Sequence, residues 1–148
     1  MTTHTLHLTR KITAPAERIY RAFLDPDAVV KWMPPHGFTG KVHELDARVG
    51  GRYRMSFTQF ANGKQIDFGG EYHELVPGEK IRHSDRFDDP ALAGEMITTV
   101  TFQVVDGRTV LEIVQEGIPE ALAPEACETG WQESLSLLAR LVEADIPG

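Results

Sequence analysis

The chain has 148 residues and a mass of 16.5 kDa, with 41% hydrophobic and 25% charged side chains and a net charge of −7. That length gives room for one domain, which buries roughly 70% of its unfolded surface. No apolar run approaches the roughly 18 residues of a membrane span, and MTTHTLHLTRK has no signal-peptide core, so neither a span nor a leader is expected.

The charge is uneven: residues 1–74 hold ten basic and eight acidic side chains, residues 75–148 five and 14. A nucleic-acid binder needs a basic stripe to displace counterions, so nucleic acid is excluded as a partner and the acidity reads as a solvated surface. A single cysteine, Cys127, cannot close an internal disulfide, which points to the reducing cytoplasm.

In chain order, Leu6, Leu8 and Ile12 alternate along one face of a half-buried strand. Pro15 suits the first position of a helix and Glu17 its first turn; Ile19, Tyr20, Phe23 and Leu24 share one side of it. Asp25-Pro26 stops that helix and caps a short second one carrying Val29, Val30, Trp32 and Met33, which Pro34-Pro35 ends. Strands follow from Phe38 to Glu116, and one long helix runs from about Glu120 to Ala144 with Trp131, Leu135, Leu138 and Val142 at helical spacing. The order is that of an α+β fold with no repeat or linker, read as one domain over 1–148.

Turn signals align the strands. Asn62-Gly63 read as a two-residue hairpin loop sets Phe57 opposite Phe68, Met55 opposite Gly70 and Tyr53 opposite Tyr72. Asp106-Gly107 sets Val104 against Thr109, Phe102 against Leu111, Val100 against Ile113 and Thr98 against Gln115. Pairing about Pro77-Gly78 brings Tyr72 to His83, Gly70 to Asp85 and Phe68 to Phe87. Apolar side chains gather on one face of each hairpin, and Gly70 leaves a gap in that face. A curved sheet closed by a long helix then encloses a mostly apolar pocket with a few polar groups.

Chemistry is sparse elsewhere. His4 and His7 are three apart on a strand and diverge, His36, His43 and His73 are scattered, and no HExxH or cysteine pair is present, so no metal is expected. Gly50-Gly51 and Gly69-Gly70 match no phosphate loop and read as strand bends, so no nucleotide or other cofactor is expected. Cys127 near a helix start invites a lowered thiol pKa, against the ordinary role of a small buried hydrophobe. The constellation left is His83 and Asp85, two apart on one strand face, with Tyr72 opposite: a histidine oriented by a carboxylate, able to do acid or base work on a bound carbonyl compound or to anchor it. The expected ligand-lining set is Trp32, Met55, Phe57, Phe68, Tyr72, His83, Asp85, Thr98, Val100, Phe102, Gln115, Trp131 and Leu135.

The segment Ala14–Phe23 (APAERIYRAF), with Asp25-Pro26 and Trp32, resembles the opening of bacterial homologues of the heat-shock chaperone ATPase activator. These belong to the START-like (SRPBCC) superfamily. Gly50-Gly51-Arg52-Tyr53, the stretch Gly70–Ile81 (GEYHELVPGEKI), and Gly130-Trp131 with Leu135 and Leu138 follow in that family's order. The resemblance implies a helix-grip fold, a curved antiparallel sheet around a long C-terminal helix with an apolar cavity between them. The chain departs from many relatives in having Ser84-Asp85-Arg86-Phe87 where they carry Thr-Trp. Three activities are compatible: binding of a small hydrophobic or amphipathic molecule, a cyclase, dehydratase or hydrolase using His83 and Asp85, or an interaction module for a chaperone. A homodimer is compatible too, although no motif specifies one.

Overall fold

The computed structural model describes residues 2–144. Strand β1 (Thr3–Ile12) leads into helices α1 (Ala16–Leu24) and α2 (Pro26–Trp32). Strands β2 (Phe38–Leu45), β3 (Arg52–Gln59), β4 (Gln65–Val76), β5 (Lys80–Phe87), β6 (Met96–Val105) and β7 (Arg108–Pro119) follow, with a single 3-10 turn at Pro90–Leu92. Helix α3 (Pro124–Glu143) follows β7. The strands form one antiparallel sheet in the order β1-β7-β6-β5-β4-β3-β2. The sheet curves around α3 in the helix-grip, α+β manner. No helix among the described residues is long and apolar enough to cross a membrane.

Local chemistry sets the helix limits. Asp25 accepts the Asp27 amide at 2.9 Å, capping α2 as expected. Pro15 precedes α1 as its N-cap, one position earlier than predicted. Helix α3 starts at Pro124 rather than near Glu120, because proline drives Ala123 into an extended conformation (φ −61°, ψ 134°).

The β6–β7 register is the predicted one throughout, from Val104↔Thr109 to Thr98↔Gln115. Asp106 (φ 52°) and Gly107 (φ 76°) both adopt the left-handed conformation that a two-residue loop requires. The β3–β4 register is not as predicted: Phe57 pairs with Ile66, Met55 with Phe68 and Tyr53 with Gly70. Only Gly63 of the expected pair has positive φ, and Gln59 accepts the Gly63 amide, so the loop spans four residues from Phe60. The slip is two residues, an even number, and every side chain keeps its face. Between β4 and β5, Tyr72↔His83 and Phe68↔Phe87 stand as predicted, with a bulge between Tyr72 and Glu74.

The solid core lies between β1, β7, β6, the two short helices and the C-terminal half of α3. Ile12, Ile19, Trp32, Val100, Leu111, Ile113, Leu135 and Leu138 are all completely buried there. Full burial of each such aliphatic contributes about 1.5–3 kcal/mol. Trp32 locks α2 to α1: its indole N–H donates to the Ala22 carbonyl at 2.9 Å and its ring meets Phe23 edge-on, centroids 4.7 Å apart. Arg18 donates to the Val142 carbonyl at 2.8 Å and ties the end of α3 to α1.

Candidate functional site

Beyond the solid core the sheet and helix part. A cavity of about 410 Å³ opens between β3–β7, the N-terminal half of α3 and the loop after α2. Helix α3 contributes Ala126, Cys127, Gly130, Trp131 and Ser134; the loop after α2 contributes Met33 and Pro35. The sheet contributes Met55, Phe57, Phe68, Phe87, Met96 and Ile118 among its apolar members. The expected residues Tyr72, His83, Asp85, Thr98, Gln115 and Trp131 also face it.

Four of the expected residues do not line the cavity. Val100, Phe102 and Leu135 lie on the predicted faces, but where those faces meet the opposing layer with no space between. Phe102 is covered by Tyr20 and Phe23, with both centroid separations 5.9 Å. Trp32 does not line the cavity as expected; it is sealed between α1 and α2, and its neighbour Met33 reaches the cavity instead.

The polar groups form one chain whose direction follows from donor chemistry. The Trp131 indole can only donate, and it donates to Gln115 Oε1 at 3.1 Å. Gln115 Nε2 therefore faces Thr98 and donates to its Oγ1 at 3.1 Å. The Thr98 hydroxyl, already accepting, donates to Asp85 Oδ2. On the other oxygen, Asp85 Oδ1 accepts from the Tyr53 hydroxyl and lies 2.9 Å from His83 Nδ1. The chain runs toward Asp85, on which Thr98, Tyr53 and His83 converge directly.

Such a carboxylate stays ionised. Burial pushes its pKa up, but the adjacent His83 and the donors from His83, Thr98 and Tyr53 outweigh burial and hold it below the usual carboxylate range. For His83, burial disfavours the charged form, yet the charge of Asp85 and the hydrogen bond to it prevail and raise the imidazole pKa. Burial, and secondarily the Asp85 charge, raises Tyr53 and Tyr72 well above the usual phenol, so both keep their protons.

Tyr53 is the partner that sequence reasoning missed, and Gly70 explains how it gets there. The expected gap at Gly70 is absent. A Cβ there would lie 1.8 Å from the Ser84 carbonyl oxygen and 3.0 Å from Tyr53 Cε1. The missing side chain lets the Tyr53 ring pass from β3 over β4 and reach Asp85 on β5.

Neither Cys127 nor a serine row on the sheet supplies an activated nucleophile. Burial raises the Cys127 thiol, opposite to a thiolate nucleophile, so the half-buried cysteine serves as cavity wall. Elsewhere on the sheet, away from the cavity lining, His43 Nε2, Ser56 and Asp67 form a row in which Ser56 is the middle member and donates to Asp67. His43 must then donate to Ser56, which leaves the serine proton facing the weakly basic Asp67 carboxylate and no imidazole to take it.

The comparisons with known proteins agree with this architecture. Residues 13–143 match the family described as Activator of Hsp90 ATPase homolog 1-like protein. The chain belongs to that family. A crystal structure of a protein from Chromobacterium violaceum shares 59% identity, covering 95% of this chain and 98% of that one with a TM-score of 0.94. A Rhodobacter sphaeroides crystal structure (21% identity, 96% and 97% covered, TM-score 0.82) shows the same fold. So does a Staphylococcus epidermidis solution structure (19% identity, 100% and 96% covered, TM-score 0.81). Among curated proteins none matches the chain.

Proposed function

We propose that this family member binds a small hydrophobic or amphipathic molecule in the cavity between sheet and helix. The observation that carries this is the lining: about 410 Å³ walled largely by aromatic, Met and aliphatic side chains, with most of the few polar groups joined in one connected chain. That volume lies within the usual range for small-molecule sites, and few convergent polar groups in an apolar wall is their usual composition. The helix-grip fold of this family commonly holds hydrophobic ligands, in keeping with the reading.

Native mass spectrometry of freshly purified protein tests it, with amide chemical shifts followed while a panel of apolar compounds is added. A retained small molecule, or shifts focused on β3–β5 and the first half of α3, is the expected result. A diverse panel that moves no cavity-lining amide would end the proposal.

A second reading, catalysis on a bound carbonyl compound, draws on the 2.9 Å His83–Asp85 contact. The donor pattern favours general-acid work, since Asp85 already accepts three hydrogens and its charge beside His83 favours the protonated imidazole. Unchanged turnover of an identified substrate by His83→Gln would dismiss it.

A further inference from the structure

The polar end of the cavity directs its internal hydrogen bonds toward one carboxylate, and that bears on what enters. The chain from Trp131 through Gln115 and Thr98 ends on one Asp85 oxygen, and Tyr53 and His83 occupy the other. Gln115 Oε1 and Thr98 Oγ1 each accept one hydrogen within the chain itself.

Two polar atoms facing the open space are left over. The Tyr72 hydroxyl and His83 Nε2 make no hydrogen bond to any described residue, and neither is shut away from the cavity as a buried orphan. They are neighbours: Tyr72 and His83 are paired across β4 and β5, with ring centroids 5.9 Å apart. With Nδ1–H turned to Asp85, a protonated His83 offers Nε2–H as a donor with no lone pair to give. Tyr72, a phenol held in its neutral form, has a hydrogen to donate as well.

Resting on the ligand-binding reading above, we infer that the cavity takes its ligand polar end first and requires there a hydrogen-bond acceptor, a carbonyl or carboxylate oxygen on an apolar body. An ammonium on the same skeleton finds an acceptor in the Tyr72 oxygen but is repelled by the His83 imidazolium beside it. A purely hydrocarbon end leaves both protein donors dry.

Four naphthalenes of nearly equal size separate the possibilities: 2-acetylnaphthalene, 2-naphthoate, 2-ethylnaphthalene and 2-(aminomethyl)naphthalene, titrated calorimetrically into the intact protein. The two acceptor compounds are expected to bind about tenfold more tightly than the ethyl and aminomethyl compounds. Tyr72→Phe, which removes one oxygen and keeps the ring, is expected to narrow that gap by roughly threefold or more. The ketone and carboxylate arms also tell a neutral acceptor from an anionic one. Equal affinity across the four overturns acceptor selection while leaving cavity binding intact, as does tightest binding of the amine. Absence of binding by all four overturns cavity binding and the selection together.

Discussion

Asp85→Asn is the sharpest test of the polar chain, because it changes one atom and no shape. The carboxylate accepts from Tyr53, His83 and Thr98; asparagine supplies one oxygen and an NH2 that can only donate. With the oxygen toward Tyr53 and His83, the amide confronts Thr98, whose hydroxyl already accepts from Gln115 and then has no acceptor of its own. With the amide toward His83, the imidazole can be accommodated only by losing its Nδ1 proton. Breaking a buried ion pair from one side costs about 3–5 kcal/mol while the orphaned charge persists. Once His83 sheds its proton, the residual loss falls to that of charge-assisted hydrogen bonds, about 1.5–3 kcal/mol. The variant is therefore expected to lose more stability at pH 5 than at pH 8. For a chain of this size the larger figure corresponds to about 10 °C in Tm. Urea unfolding at both pH values, followed by far-UV circular dichroism and tryptophan fluorescence, measures it. A loss below 1 kcal/mol at both pH values, or a larger loss at pH 8, would refute an ionised Asp85 paired with a charged His83.

Wild-type stability should form a plateau in pH. His83, raised from 6.5, contributes fully below that value and loses its contribution as pH climbs through the folded pKa; Asp85, lowered from 3.8, contributes above that value and fails as pH falls through its folded pKa. Denaturation midpoints against pH check this, and a curve still rising well above neutrality would contradict it. Gly130 has no heavy atom within 4 Å of where its Cβ would sit, so Gly130→Ala should stabilise by about 0.5–1 kcal/mol through helix propensity. Gly130→Leu should fill the cavity and weaken binding of any probe at least tenfold, read by calorimetry. Phe102→Ala should lower stability by about 3–5 kcal/mol in chemical unfolding, yet keep probe affinity within about threefold, because Phe102 packs in the solid core.

What the sequence disclosed and what it withheld divide along physical lines. Alternation tells which face a strand side chain takes, so Tyr72, His83, Asp85, Thr98 and Gln115 could be placed together on the inner face before any coordinates. The same periodicity is silent on whether that face meets another layer or a hollow, which is why Val100, Phe102 and Leu135 were expected at the cavity and lie in the solid core. The β3–β4 misregister came from reading Asn62-Gly63 as a loop by itself, when Asn62 keeps negative φ and Phe60, 82% exposed, belongs to the turn. With Tyr53 set opposite Tyr72 rather than Gly70, its route over the glycine to Asp85 could not be seen. One readable signal went unused. Ala126, Gly130 and Ser134 recur every four residues on α3, a stripe of small side chains on the sheet-facing side of a helix, followed by Leu135, Leu138 and Val142 where packing turns solid.

That stripe bears on whether the hollow is an accident of packing. A glycine in the middle of a 20-residue helix forgoes about 1 kcal/mol relative to alanine, and nothing near Gly130 demands its small size. Gly70 differs, since backbone and ring would collide with any side chain there. At the same end of the molecule three side chains turn their hydrogens on a buried carboxylate and two more support them, where well-packed apolar residues would be at least as stabilising. Each choice works against stability, and all line the same cavity while the other half of α3 packs as solid core. Local departures from the most stable solution that coincide in space mark a functional site more firmly than any one of them alone. The combination favours a pocket maintained for an occupant over a core that failed to close.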